Sequence, residues 1–288
     1  MCWSQQIGGC FVTAADLSKW TKSWNDNMTT MSRVSDVGYW NKRAEDYDDF
    51  IKTSQFEYGR EIARILYRED VLRPGATVLE IAGGVGAVTL PLASHASRIT
   101  TLEPAKKMAG RLKKNAADQG ISNIEVKICT LSGYDKGAQP KSVDLTVICH
   151  ASWQFPNIEK LFQLMDRISR RSCCLCDTVP NILSSHQAMC EKLGIDTGAF
   201  DRALCLYNLL CETRRCPGIS FFHYRMRRST ASAMSMWTHL VGKYRETTKN
   251  DVELIGDHVS AHEADGIYEE PACMAVMWWN PKEALINE

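Results

Sequence analysis

Between residues 57 and 180 the chain switches repeatedly between two hydrophobic rhythms. Apolar positions three and four apart predict helices, and short apolar runs bounded by glycine, proline or asparagine predict strands. EYGREIARILYR puts Tyr58, Ile62, Ile65 and Leu66 on one helical face, and Arg73-Pro74-Gly75 ends it. TVLEIA then reads as a first strand and RITTLEP as a second, closed by Pro104. NIEVKICTL, SVDLTVICH and SCCLCDTV read as the third, fourth and fifth, the last closed by Pro180. Between them, KKMAGRLKKNAADQG turns Met108, Leu112 and Ala116 inward and stops at Gly120. NIEKLFQLMDRIS does the same with Ile158, Leu161, Phe162, Met165 and Ile168. This alternation predicts an α/β, doubly wound, mostly parallel sheet with helices on both faces.

After Pro180 the rhythm changes. Residues 181–250 are mostly helical in pattern, with LCLYNLLCE the clearest stretch, and predict a helical insert that caps the sheet. Strand character returns around VELIGDHVS and again in ACMAVMWW. The first 40 residues carry Trp3, Trp20, Trp24 and Trp40 with weak periodicity, which suggests a helical arm or lid. The expected organisation is an arm over 1–40, a sheet domain over 41–180 and 251–288, and a cap over 181–250.

Composition narrows the function. Formal net charge is +0, hydrophobic content 44% and charged content 24%, so nothing pushes the chain toward nucleic acid or an anionic membrane. No apolar run approaches the roughly 18–20 residues needed to cross a bilayer, and the N-terminus lacks a basic start before an apolar core. A cytoplasmic protein is expected. The 12 cysteines lack the even framework of a secreted scaffold, and several lie on apolar runs, so reduced buried thiols are expected. In CCLC, Cys173 and Cys176 would face opposite sides of a strand.

The chemistry begins at VLEIAGGVGAVTL. A strand running into Gly83, Gly84 and Gly86 and then a helix lets backbone approach a ligand closely beside free N–H groups. A phosphate-binding Walker loop is excluded, since Gly86-Ala87-Val88 stands where Gly-Lys-Ser/Thr is needed. A dinucleotide fingerprint would start at Gly84 but meets Thr89 where its third glycine belongs. An NAD-dependent oxidoreductase therefore stays open as a rival, because Glu103 could still serve ribose hydroxyls.

EIAGGVG with an acid ending the second strand in TLEP resembles the class I S-adenosylmethionine-dependent methyltransferase family. AKKMAGRLKKNA and VDLTVICHASWQF also resemble that family's next helix and fourth-strand motif. The resemblance covers residues 40–180 and, less fully, the last strand. It implies a seven-stranded sheet with the last strand antiparallel and S-adenosylmethionine as cofactor. Carried over position by position, Gly84 and Gly86 would let the loop run under the cofactor. Glu103 would accept both ribose hydroxyls, and Glu80 would order the loop and the cofactor's amino end. Met108 would cover the adenine, and Gly83, Pro104, Leu131, Cys149 and Trp153 would complete the wall. Where relatives carry an acid for the adenine amino group this chain has CTLSG, so Thr130 or backbone must serve. Ala82 stands at the motif's first glycine and is expected to need only a small side chain. A positive φ there would make the match superficial and favour a non-catalytic adenosylmethionine-binding protein.

The acceptor is not written in these motifs. The Asn/Asp-Pro-Pro-aromatic motif of relatives that methylate base or glutamine amino groups is absent. His150, at the end of the fourth strand, is the candidate base or cofactor contact. Tyr39, Trp40 and Tyr47 resemble the family's covering arm, with Tyr47 a second candidate at the reacting end. Met189, Tyr207, Phe221, Phe222, His223 and Trp237 of the insert are expected to form an apolar pocket for a small-molecule acceptor, with no nucleic acid and no membrane as partner. A further alternative gathers Cys205, Cys211, Cys216 and Cys149 around a metalloid acceptor; no resident metal is expected. The tryptophan-rich arm offers a homodimer contact.

Overall fold

A computed structural model describes residues 19–28, 35–180, 185–196 and 200–281. Two helices precede the sheet's first unit, α1 (19–28) and α2 (Val37–Thr53), followed by α3 (Glu57–Arg68). The Asp36 carboxylate caps α2 by accepting from the Tyr39 backbone N–H at 2.7 Å. The alternating units are β1 (Ala76–Ile81), α4 (Thr89–Ala93), β2 (Ala96–Leu102), α5 (Lys106–Asp118) and β3 (Ile124–Lys127). They continue with α6 (Leu131–Asp135), β4 (Val143–Cys149), α7 (Ile158–Ile168) and β5 (Ser169–Val179). Then come α8 (Ser185–Lys192), α9 (Arg202–Glu212), β6 (Gly218–Ser229), α10 (Thr230–Val241), α11 (Lys249–Ala261), β7 (Glu263–Ala264) and β8 (Ile267–Trp279).

The sheet runs β3-β2-β1-β4-β5-β8-β6, with β7 paired only to β8 as an eighth short strand. Strands β1 to β5 pair in parallel, and β8 is antiparallel to both β5 and β6. The expected doubly wound sheet with an antiparallel last strand is therefore present.

Its sixth strand is not where the pattern placed it. VELIGDHVS lies in α11, whose capping box between Thr248 and Asp251 starts a helix that buries Ile255 and Val259 one turn apart. The strand is GISFFHYRMRRS, inside the segment expected to be a helical cap. There Phe222 and Tyr224 are buried while Phe221, His223 and Arg225 are exposed, the period-two pattern of an edge strand wet on one face. The expected single cap is in fact two helical excursions, α8–α9 and α10–α11, on either side of β6.

Two apolar cores flank the sheet. Cys174 and Cys176 enter one, Cys173 and Leu175 the other, so the strand alternation in CCLC holds. A third core joins α8, α10 and α11 around Trp237, Ile255 and Tyr268. All ten described cysteines are free, but Cys211 and Cys216 are exposed, not buried as expected. Trp24 of the arm is fully buried and donates its indole N–H to the Phe155 carbonyl at 2.9 Å. It is consumed by its own chain's core, which removes it as a dimer contact; Trp3 lies outside the described residues. Among the described residues no helix is long and apolar enough to cross a membrane.

Candidate functional site

The C-terminal ends of β1, β2 and β4 meet beneath α2, where ligands bind in open α/β sheets. A cavity of about 270 Å³ opens there, walled by Trp40, Tyr47, Ala82, Gly84, Glu103, Pro104, Met108, Thr130, Cys149, His150 and Gln154 among others. A neighbouring cavity of about 370 Å³ shares Ala82, Pro104, Thr130 and Gln154 and adds Ile81, Leu102, Leu131, Phe155 and Leu161. The first is polar at its far end; the second is largely apolar.

The glycine loop fits this role through its backbone. Gly84 has φ of 58° and lines the cavity, 4.0 Å from the Tyr47 ring as measured from an added Cβ. Gly83 lies below the surface, where a Cβ would come within 2.0 Å of the Thr101 hydroxyl. Gly86 also stays off the cavity wall; a Cβ there would meet Leu90 at 2.3 Å, so these two glycines are required by the packing of the turn. Ala82 corrects an expectation. Its φ is 60°, in the left-handed region, so the position favours glycine conformationally as well as sterically.

Glu103 is the best-defined element. It is 6% exposed, and its two carboxylate oxygens accept from the Gly84 and Ala105 backbone N–H groups, each at 2.8 Å. Burial nevertheless raises its pKa, with those two backbone bonds opposing. Each oxygen keeps a second lone pair on the cavity wall, the arrangement a vicinal diol needs. The second cavity is large enough to admit an adenine ring, although Met108, expected to cover that ring, lines the first cavity. These residues fit adenosylmethionine.

Glu80 lies behind the wall, at 2% exposure, and accepts from the Thr89 hydroxyl. Burial pushes its carboxyl up to about 7, against the pull of the Thr89 and Thr101 hydroxyls. Glu80 therefore ties the loop to α4, and this bond gives Thr89 a use where a dinucleotide loop has glycine.

His150 ends β4 with φ of 53°, a second strained non-glycine residue on the same cavity. Its Nδ1 lies 3.2 Å from the Thr178 hydroxyl, and burial lowers its pKa below the usual histidine value, leaving a neutral ring at pH 7. Tyr47 shares a 3.2 Å hydrogen bond with Tyr58, and burial raises its pKa. Trp153 is off the wall: its indole donates to the His150 carbonyl at 2.8 Å and its ring packs on Trp40, so it braces the loop.

The insert residues are not brought to either cavity. Met189 and Trp237 sit in the third core and Phe222 in the first; Tyr207 packs against the second. Phe221 and His223 are on the solvated face of β6. Residues 35–37 and α2 roof the site in their place. Cys205 is core-buried while Cys149 is on the cavity, and among the described residues no group of three or more His, Cys, Asp or Glu could hold a metal ion. Sequence reading missed Gln154 on both cavities and Asp177 at the end of β5. Asp177 is fully buried, holds Arg202 at 2.9 Å and accepts from Ser152 at 2.6 Å. Its signal was available as an acid closing a strand.

Residues 78–172 match the family described as a methyltransferase domain. A 60-residue stretch is 40% identical to the 23S rRNA (uracil(1939)-C(5))-methyltransferase RlmD of Methylococcus capsulatus, covering 21% of this chain and 14% of that enzyme. The Alteromonas mediterranea RlmD is 28% identical over 116 residues, 36% of this chain and 24% of that enzyme. The chain thus matches only a small part of these relatives' length. In fold it is similar to a protein from Anaeromyxobacter dehalogenans provisionally assigned as a Type II methyltransferase, with TM-score 0.53, 13% identity, and coverage of 78% of this chain and 97% of that one. The YcgJ protein of Bacillus subtilis aligns with TM-score 0.51, 13% identity, and coverage of 78% and 99%. Residues 78–172 thus carry a methyltransferase domain. Ala82 has the positive φ expected to count against the match, and the family match nevertheless spans its loop.

Proposed function

We propose that this protein transfers the methyl group of adenosylmethionine to a small-molecule acceptor seated between His150 and α2. The observation that carries the cofactor end is Glu103, a carboxylate locked by two backbone N–H groups on the wall of the first cavity. The cofactor supplies an activated methyl carbon; the protein contributes orientation and a water-poor approach. Gly84 and Glu103 position the ribose end, and Trp40 and Tyr47 shield the reacting end. His150, neutral at pH 7, is able to take the acceptor's proton as transfer proceeds. The roofed cavity and the zero net charge support a small acceptor.

A second reading is an RNA acceptor, favoured by the likeness to two 23S rRNA methyltransferases. Lys42, Lys107, Arg111 and Lys114 line one groove on α2 and α5 and would supply phosphate contacts. The free thiols suit a reducing compartment, so we place the protein in the cytoplasm. The test is calorimetry with adenosylmethionine, adenosylhomocysteine and NAD, followed by labelled methyl transfer into cell extract. Label in small metabolites supports the first reading. Label that ribonuclease releases overturns it in favour of RNA, and binding of NAD alone overturns the cofactor assignment.

A further inference from the structure

The two cavities share four wall residues, Ala82, Pro104, Thr130 and Gln154, and only the last two carry polar side chains. Thr130, the side chain expected to meet the adenine amino group, is already engaged. Its hydroxyl caps α6, accepting from the Gly133 backbone N–H at 3.2 Å, and lies 3.0 Å from the Ser132 hydroxyl. Asn157, on the second cavity, is likewise engaged in capping α7, where it accepts from the Lys160 backbone N–H at 3.0 Å. Gln154 differs. Its backbone is pinned in the turn after β4, donating to the Ala151 carbonyl at 3.0 Å. Earlier in that turn Ser152 donates to Asp177 at 2.6 Å, and just after it the Phe155 carbonyl accepts from the Trp24 indole at 2.9 Å. Yet the Gln154 carboxamide, half-buried on both walls, makes no hydrogen bond among the described residues.

A carboxamide on a fixed backbone offers an acceptor and two donors in one plane. That set complements a ring edge carrying an amino group beside a ring nitrogen. We infer that Gln154 reads this edge of the cofactor's adenine, its oxygen accepting from the amino group and its NH2 donating to the neighbouring ring nitrogen. On the adenosylmethionine reading, on which this inference rests, Glu103 anchors the ribose on the first cavity. A base attached there either stays beside Met108 in the first cavity or enters the second, and Gln154 walls both. Ile81, Leu102, Leu131 and Phe155 of the second cavity supply apolar contact but little discrimination between bases.

The test is a double-mutant cycle read by calorimetry on the full chain. The ligands are adenosylhomocysteine and its analogue with hydrogen in place of the adenine amino group. Gln154→Met keeps the side-chain length and removes both hydrogen-bonding ends. It is expected to weaken adenosylhomocysteine binding roughly tenfold, as for two neutral hydrogen bonds. The analogue should bind the wild type more weakly than adenosylhomocysteine does, and the variant should lose most of that preference. Gln154→Ala, which leaves space where methionine leaves bulk, is expected to do the same. Unchanged adenosylhomocysteine affinity in both variants overturns the inference, as does an equal preference for the amino group with and without Gln154. In either case the wild type still binds adenosylhomocysteine. A wild type that does not bind it sinks the cofactor reading, and this assignment with it.

Discussion

Two regions of the molecule meet the problem of a buried charge in opposite ways. On the cofactor side, Glu103 is buried with both oxygens held by backbone N–H groups from its own strand end and the adjacent loop. Between α2 and β8, Arg228 is buried with two N–H groups unpartnered. The first charge is satisfied by the fold itself. The second is balanced only at a distance, by Asp46 and Glu270, and by the face of Phe50. Backbone groups are fixed wherever a strand meets a glycine loop, so the cofactor half is preorganised by local geometry. The Arg228 region instead depends on long-range packing of α2 against β6 and β8.

The comparison breaks most decisively at Glu103. Glu103→Ala removes the diol acceptor and frees two N–H groups. Adenosylhomocysteine affinity by calorimetry is expected to fall about 100-fold, on the order of 3 kcal/mol. A loss under threefold would mean that the cofactor half does not rest on this carboxylate.

Next comes the pH dependence, in which two buried groups differ in sign. Glu80 is raised to about 7 in the fold, above its ordinary 4.5. Between those values the folded state holds more protons than the unfolded one, so stability falls as pH rises from about 4.5 through 7. Glu80→Gln is expected to flatten that limb and to stabilise the protein at pH 8 by up to about 3 kcal/mol in urea titrations. An unchanged slope would show that Glu80 is solvated.

Lys243, over the Tyr39 ring at 4.3 Å, is lowered to about 8 by burial and by nearby Arg43 and Arg202. Between about 8 and 10.5 the unfolded state holds the extra proton, so stability rises with pH there. Lys243→Met should erase this second limb, at about 1–2 kcal/mol, allowing for its partial exposure. Persistence of the limb in the variant would assign it to another group.

The smallest effect is expected at Ala82. Ala82→Gly relieves the left-handed backbone and is expected to stabilise by about 0.5–1 kcal/mol, after the entropy that glycine adds to the unfolded chain. Destabilisation would show that the alanine methyl packs usefully on the cavity.

Much of the cofactor half was legible before any coordinates. Strand ends at Ile81, Leu102 and Cys149, the acid at Glu103 and the loop at Gly84 all follow from motifs contiguous in sequence. The errors share one cause. VELIGDHVS carries mixed apolar spacing, and only the capping box and the core formed by α8, α10 and α11 commit it to a helix. GISFFHYRMRRS alternates as an edge strand should, yet its aromatic content reads equally as a pocket lining until a neighbouring strand fixes which face is wet.

The sequence alone therefore determined the α/β class, the order of the first five strands along the chain, the glycine loop and the acid that answers it. Each of these is encoded in residues close together, where periodicity and backbone freedom act directly. Tertiary structure alone decided which residues roof the site, that Trp24 is spent in the core, that Ala82 and His150 are both left-handed, and that Arg228 is buried without a partner. Those outcomes depend on which distant segments pack together, and no local pattern carries that information.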